Sequence, residues 1–194
     1  MNTPLISDAS QFNDAAFDVF AQSLGSNALA RLVVSDARLG AKATRRVYEL
    51  NALDSRSLDG DAQDRMVAQA YLGDPDRLER LCGLVLHAPI IRTIVDGAEF
   101  QKLTRLFDPE DLSDACSLAH LAPAFSGNQL DMDRFGDLVA MAGRNCLISW
   151  FLSLPDGLAC ELELSIVAQR LARHENGMQI QPAVARQIVE AVVL

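Results

Sequence analysis

One stretch constrains the fold of this chain more than any other: "DPDRLERLCGLVLHAP", residues 74–89. Asp74 is a helix cap and Pro75 fits the first helical turn, where its missing N–H costs nothing. Leu78, Leu81, Cys82, Val85 and Leu86 then recur at i, i+3, i+4, i+7 and i+8, the stripe of an amphipathic helix. Pro89 is expected to end or kink it.

The same grammar repeats along the chain. "SDASQFNDAAFDVFAQSLG" (7–25) opens on capping residues and closes on Gly25, with Phe12, Ala16, Val19 and Phe20 on one face. Short helices are expected over 26–37, 38–52, 90–97 and 98–108. A second Asp-Pro start opens another over 108–122, and a terminal helix covers 182–193. The polar run "LDSRSLDGDAQDR" (53–65) reads as a connection. The expected architecture is predominantly α, a single domain over 1–194. It divides into an N-terminal helical lobe (7–52), the connection (53–65) and a main helical body (66–194).

The period changes late in the chain. "CLISWFLSL" (146–154) is apolar nearly all round, and "PDG" (155–157) is a turn signal. Leu158, Cys160, Leu162, Leu164 and Ile166 then alternate with Glu161, Glu163 and Ser165. A period of two predicts a small antiparallel β-hairpin near 147–167, with a pair of buried helices as the alternative. Trp150 is expected in the core.

Hydrophobic residues make up 49% of the chain, enough for a sizeable core without disulfides or metals. No apolar run approaches the length of a membrane span, and no basic and apolar leader is read at the start, so a cytoplasmic location is expected. Seventeen basic against 26 acidic residues give a net charge of −9, which argues against nucleic acid as a partner. The adjacent Arg45 and Arg46 read as a solvated helix face.

Cys82, His87, Cys116 and His120 raise the possibility of a zinc site. Paired cysteines at metal-ligand spacing are absent. His87 lies five residues after Cys82, so one helix turns them roughly 140° apart. Packing thiols are the simpler reading. His87 is expected on or near a surface, on the side of Arg80 and Gly83. No nucleophile-elbow, zinc-protease, P-loop or dinucleotide motif is present, and no catalytic, cofactor or metal residue is assigned. The acidic residues at helix starts complement the helix dipole.

Two blocks resemble a known family. "LERLCGLVLHAPIIRTIV" (78–95) is similar to the central segment of the YscK/SctK family, accessory proteins of the type III secretion sorting platform. Members carry a Leu/Cys-rich helix close to L-C-x-x-G-L-V-L-H, a short linker and an I-R-R-type turn. This chain supplies Leu81, Cys82, Leu84, Val85, Leu86, His87, Ile91 and Arg92. Its glycine differs in register, at Gly83, and Thr93 stands where a second arginine is common. "AGRNCLISWFLSLPDGLACELELSIV" (142–167) resembles a second family block, with a small residue–aromatic–leucine run, a Pro-containing turn and an alternating leucine stretch. The first 70 residues carry no such resemblance.

The resemblance implies an adaptor and not an enzyme. It would lie at the cytoplasmic face of the inner-membrane secretion apparatus. It would link the cytoplasmic domain of the ring protein (SctD type) to the pod protein (SctQ type), and through the pods to the stator and export ATPase. No cofactor, nucleic acid or direct membrane insertion is expected, and the isolated chain is expected to be a monomer. Arg80, His87 and Arg92 are the candidate partner-binding residues. The alternatives are a secretion chaperone, or an enzyme built around an unrecognised Cys/His site such as Cys116 and His120.

Overall fold

The computed structural model describes residues 6, 11–36, 38–50, 61–123, 132–165 and 180–194. The chain is all-α, and its helices fall into two units. One comprises Met1–Leu72 with Leu154–Arg173, the other Gly73–Ser153 with His174–Leu194.

The first unit holds α1 (Asp14–Leu24), α2 (Asn27–Ser35), α3 (Gly40–Leu50), α4 (Ala62–Gly73, whose last residue belongs to the second unit) and α9 (Asp156–Glu163). Local chemistry sets the breaks. The Asn13 side chain accepts from the Ala16 N–H at 2.9 Å and caps α1. Gly25, at φ 68°, closes it in the left-handed region that a side chain would strain. Ser26 then accepts from the Leu29 N–H and starts α2. Phe12, Ala16, Phe20, Ala30, Val47 and Tyr48 form the core, with Phe12 edge-on to Tyr48 at 5.6 Å. Val19, placed by sequence on the same stripe, is exposed instead.

The expected hairpin is not there. Its first arm is the end of a long helix, α8 (Phe135–Phe151), and its second is α9. The residues α9 buries are Leu158, Glu161 and Leu162, spaced i, i+3, i+4. The middle member of that helical triplet is a carboxylate, so the apolar pattern alone mimics a strand. Cys160, read as inward-facing, is exposed. Ile166 lies outside the described residues. Among the described residues the extended pairing is one antiparallel bridge between Phe12 and Ser165. Beside it, the Asn13 N–H donates to the Leu164 carbonyl at 2.7 Å.

The second unit holds α5 (Pro75–Ile91), α6 (Gly97–Leu106), α7 (Pro109–Ser117), a 3₁₀ turn (Ala119–Leu121), α8 and α10 (Pro182–Val193). Asp74 caps α5 through the Arg77 N–H, and Asp108 caps α7 through the Glu110 N–H. Helix α5 is central, packed against α7, α8, α10 and the 3₁₀ turn. It runs through Pro89 to Ile91, after which residues 92–96 leave the helix that the sequence had continued. Trp150 is fully buried on α8. Among the described residues no helix is long and apolar enough to cross a membrane.

Candidate functional site

The two family-like blocks meet at the crossing of α5 and α8. A Cβ added to Gly143 would lie 1.7 Å from the Glu79 carbonyl oxygen, and one on Gly83 would lie 2.0 Å from that of Val139. These pairings make the helices antiparallel, in backbone-to-backbone contact that only glycine permits. Cys82 and Cys146 meet nearby, both fully buried. A hydrogen bond to Cys146, followed by burial, pushes the Cys82 thiol well above its ordinary value. The Cys146 thiol donates onward to the Ala185 carbonyl on α10. A thiol held protonated as Cys82 is acts as a packing group, because the thiolate is the reactive form.

The crossing corrects the placement of His87. Arg80, Gly83 and His87 do share a side of α5, but at Gly83 that side faces α8 and not solvent. His87 is only 7% exposed. Its Nδ1 is 2.9 Å from the Gly83 carbonyl oxygen, and its ring stands edge-on to Phe135 at 5.5 Å. Burial lowers its pKa, and the Gly83 carbonyl opposes that shift only in part. A histidine depressed in the fold binds its proton more readily in the unfolded chain. Its contribution is therefore fully present above the unfolded pKa, about 6.5, and is lost as pH falls through that value toward the folded one. Denaturation midpoints should drop between pH 7.5 and pH 5.5, and His87→Gln should flatten that drop. A profile unchanged by the substitution would contradict a neutral, buried His87.

The other two candidate residues lie apart. Arg80 is half-exposed, with its Nε 3.1 Å from Oδ2 of the buried Asp111; Arg77 approaches the other oxygen at 4.0 Å. Arg92 is exposed, where α5 ends. Twelve residues of helix put Arg92 about 18 Å along the axis from Arg80, so they form no single patch. Glu79, also buried, meets Arg144 at 3.4 Å, and its second carboxylate oxygen has no hydrogen-bond partner among the described residues. Sequence reasoning places Asp111 among the helix-start acids that complement the dipole and does not single out Glu79.

Cys116 and His120 do not share a helix face. Helix α7 ends at Ser117, and His120 is exposed in the 3₁₀ turn. Burial raises the Cys116 pKa against the pull of the nearby Arg92 charge, the reverse of an activated nucleophile. A cleft of about 260 Å³ opens between α5, α7 and α10, lined by Leu81, Val85, Leu118 and Val192 with Arg77 and Asp114; neither Cys116 nor His120 lines it. Among the described residues, no three His, Cys, Asp or Glu side chains converge as a metal site would require. No family model, no curated protein and no solved structure matches this chain.

Proposed function

We propose that this chain is a non-enzymatic adaptor of the type III secretion sorting platform. It would join the cytoplasmic domain of the inner-membrane ring protein (SctD type) to the pod protein (SctQ type), and through the pods reach the stator and export ATPase. Its place would be the cytoplasmic face of the secretion apparatus. The observation that carries the reading is the resemblance of residues 78–95 and 142–167 to the two YscK/SctK blocks. Their packing supports it. Cys82 and Gly83 of the first block meet Cys146 and Gly143 of the second at one helix crossing, so the resembling residues of α5 and α8 form one scaffold. Two helical units, each with its own buried core, also suit a chain that must hold two partners.

On this reading the buried crossing holds the surfaces in place and does not itself touch partners. Arg92 and Arg80 are the candidate contacts on α5. His87 contributes through packing against Phe135. The test mixes the purified chain with the ring-protein domain, and separately with the pod protein, at low and high salt. Chromatography with light scattering reports mass. A complex with either is expected, weakening at high salt because the chain carries −9. Separate elution of folded species in both mixtures would overturn the reading.

A further inference from the structure

The charge of this acidic chain is not evenly spread. Residues 31–46 carry five of its 17 basic residues and one of its 26 acidic ones, Asp36. The rest carries twelve basic against 25 acidic. The structure turns that segment into a surface. Helix α3 buries Ala43, Thr44, Val47 and Tyr48, which puts Lys42, Arg45 and Arg46 on its outer side, all exposed. Arg31 on α2 and Arg38 in the link between the helices are exposed as well. Three leucines accompany these cations. Leu29 and Leu32 on α2 are 45% and 67% exposed, and Leu39 in the link is 40% exposed. Helix α2 buries only Ala30.

We propose that this α2–α3 face of the first unit is a docking surface for an acidic, leucine-bearing helical segment of a partner protein. Charge complementarity selects the sign of the partner: a local excess of cations, on a chain otherwise strongly negative, attracts a carboxylate-rich segment. The leucines select its kind. Single exposed apolar side chains are ordinary, but three on α2 and its link to α3, beside a charge cluster, suit a contact surface.

Two fixed carboxylates favour a protein over a polyphosphate. Glu49 lies 3.2 Å from Arg45 and 3.1 Å from Arg46, and Asp36 lies 3.8 Å from Arg38. The arginines beside Glu49 hold its pKa below the usual carboxylate range. A duplex or an anionic bilayer presents continuous negative charge and would meet these carboxylates head-on. A peptide helix can set a carboxylate against Lys42 and apolar groups against Leu29 and Leu32, which lie about 60° apart on α2. The surface belongs to the first unit, while Arg80 and Arg92 belong to the second, so it stands whatever the adaptor reading's fate.

The probe is a short fluorescent helical peptide, glutamate-rich, with leucines along one face. Binding to the full chain is read by anisotropy at low and high salt. Lys42→Glu combined with Arg38→Glu is expected to weaken binding at least about tenfold, and Leu32→Ser by about fivefold. All three residues are exposed, and circular dichroism checks that each variant keeps the fold. A peptide that does not bind, or binds the variants as well as the parent, overturns the proposal. So does a short DNA duplex or a phosphatidylserine vesicle that binds through the same residues more tightly than the peptide.

Discussion

Gly143→Ala is expected to lower the melting temperature of the second unit by up to about 10 °C, at about 2–4 °C per kcal/mol for a chain of this size. Two effects compete at this position. Alanine in a helix interior gains about 0.5–1 kcal/mol over glycine. Against that, the new Cβ would lie 1.7 Å from the Glu79 carbonyl oxygen and 2.9 Å from the Gly83 nitrogen. These are backbone atoms of a packed helix and cannot rotate aside, so α5 and α8 must separate. Overpacking of this kind costs about 1–3 kcal/mol and sometimes more, which outweighs the propensity gain. Gly136→Ala on the same helix is the control, because a Cβ there meets nothing within 4 Å. It should leave stability unchanged or raise it. Equal behaviour of the two variants in thermal melts would show that the crossing is not held by glycine. Gly83→Ala should resemble Gly143→Ala, and the pair should not be additive, since both separate the same helices.

Glu161→Ala should destabilise the first unit by about 3–5 kcal/mol, the cost of breaking a buried ion pair by removing one member. Glu161 is fully buried on α9. Its Oε1 accepts from the Tyr48 hydroxyl at 2.9 Å, and its Oε2 lies 3.4 Å from Arg65, whose side chain is 13% exposed. Burial, with the Glu161 charge beside it, pushes the Tyr48 hydroxyl far above its ordinary pKa, so it stays a donor. Tyr48 also accepts from the Ile6 N–H at 3.2 Å. Truncating Glu161 therefore removes the carboxylate that the buried Tyr48 hydroxyl and the nearly buried Arg65 guanidinium both meet. Tyr48→Phe removes one hydrogen bond and should cost less, about 1–2 kcal/mol. Urea titrations of the three proteins give the ranking. A Glu161→Ala loss no larger than that of Tyr48→Phe would show that the carboxylate is not the centre of the network.

The helices were legible where backbone chemistry is local. Asp74, Pro75 and the Leu78–Leu86 stripe announce α5, and its capping bond is the one that Asp74 promises. The failures share a cause: a residue whose partner lies far along the chain. Glu161 occupies a helix's inner position because Tyr48 and Arg65 await it, and a carboxylate there made α9 resemble a strand. His87 reads as on or near a surface because it stands about 140° round the helix from Cys82, on the side of Arg80 and Gly83. In the fold that glycine is where Val139 of α8 comes closest. The available signal was the glycine itself, placed inside a strong helical pattern at a propensity cost of about 1 kcal/mol. Of the candidate contacts, Arg92 is exposed as a contact residue must be, Arg80 is partly committed to Asp111, and His87 is core.

The adaptor reading turns on bridging, which binary binding alone does not establish. The most direct measurement mixes the ring-protein cytoplasmic domain and the pod protein with and without this chain and reads the mass of each eluting species. The account predicts one species containing all three proteins, and no ring–pod species when the chain is left out. A ring–pod complex that forms equally well without this chain, or a chain that elutes alone beside both folded partners, would contradict it.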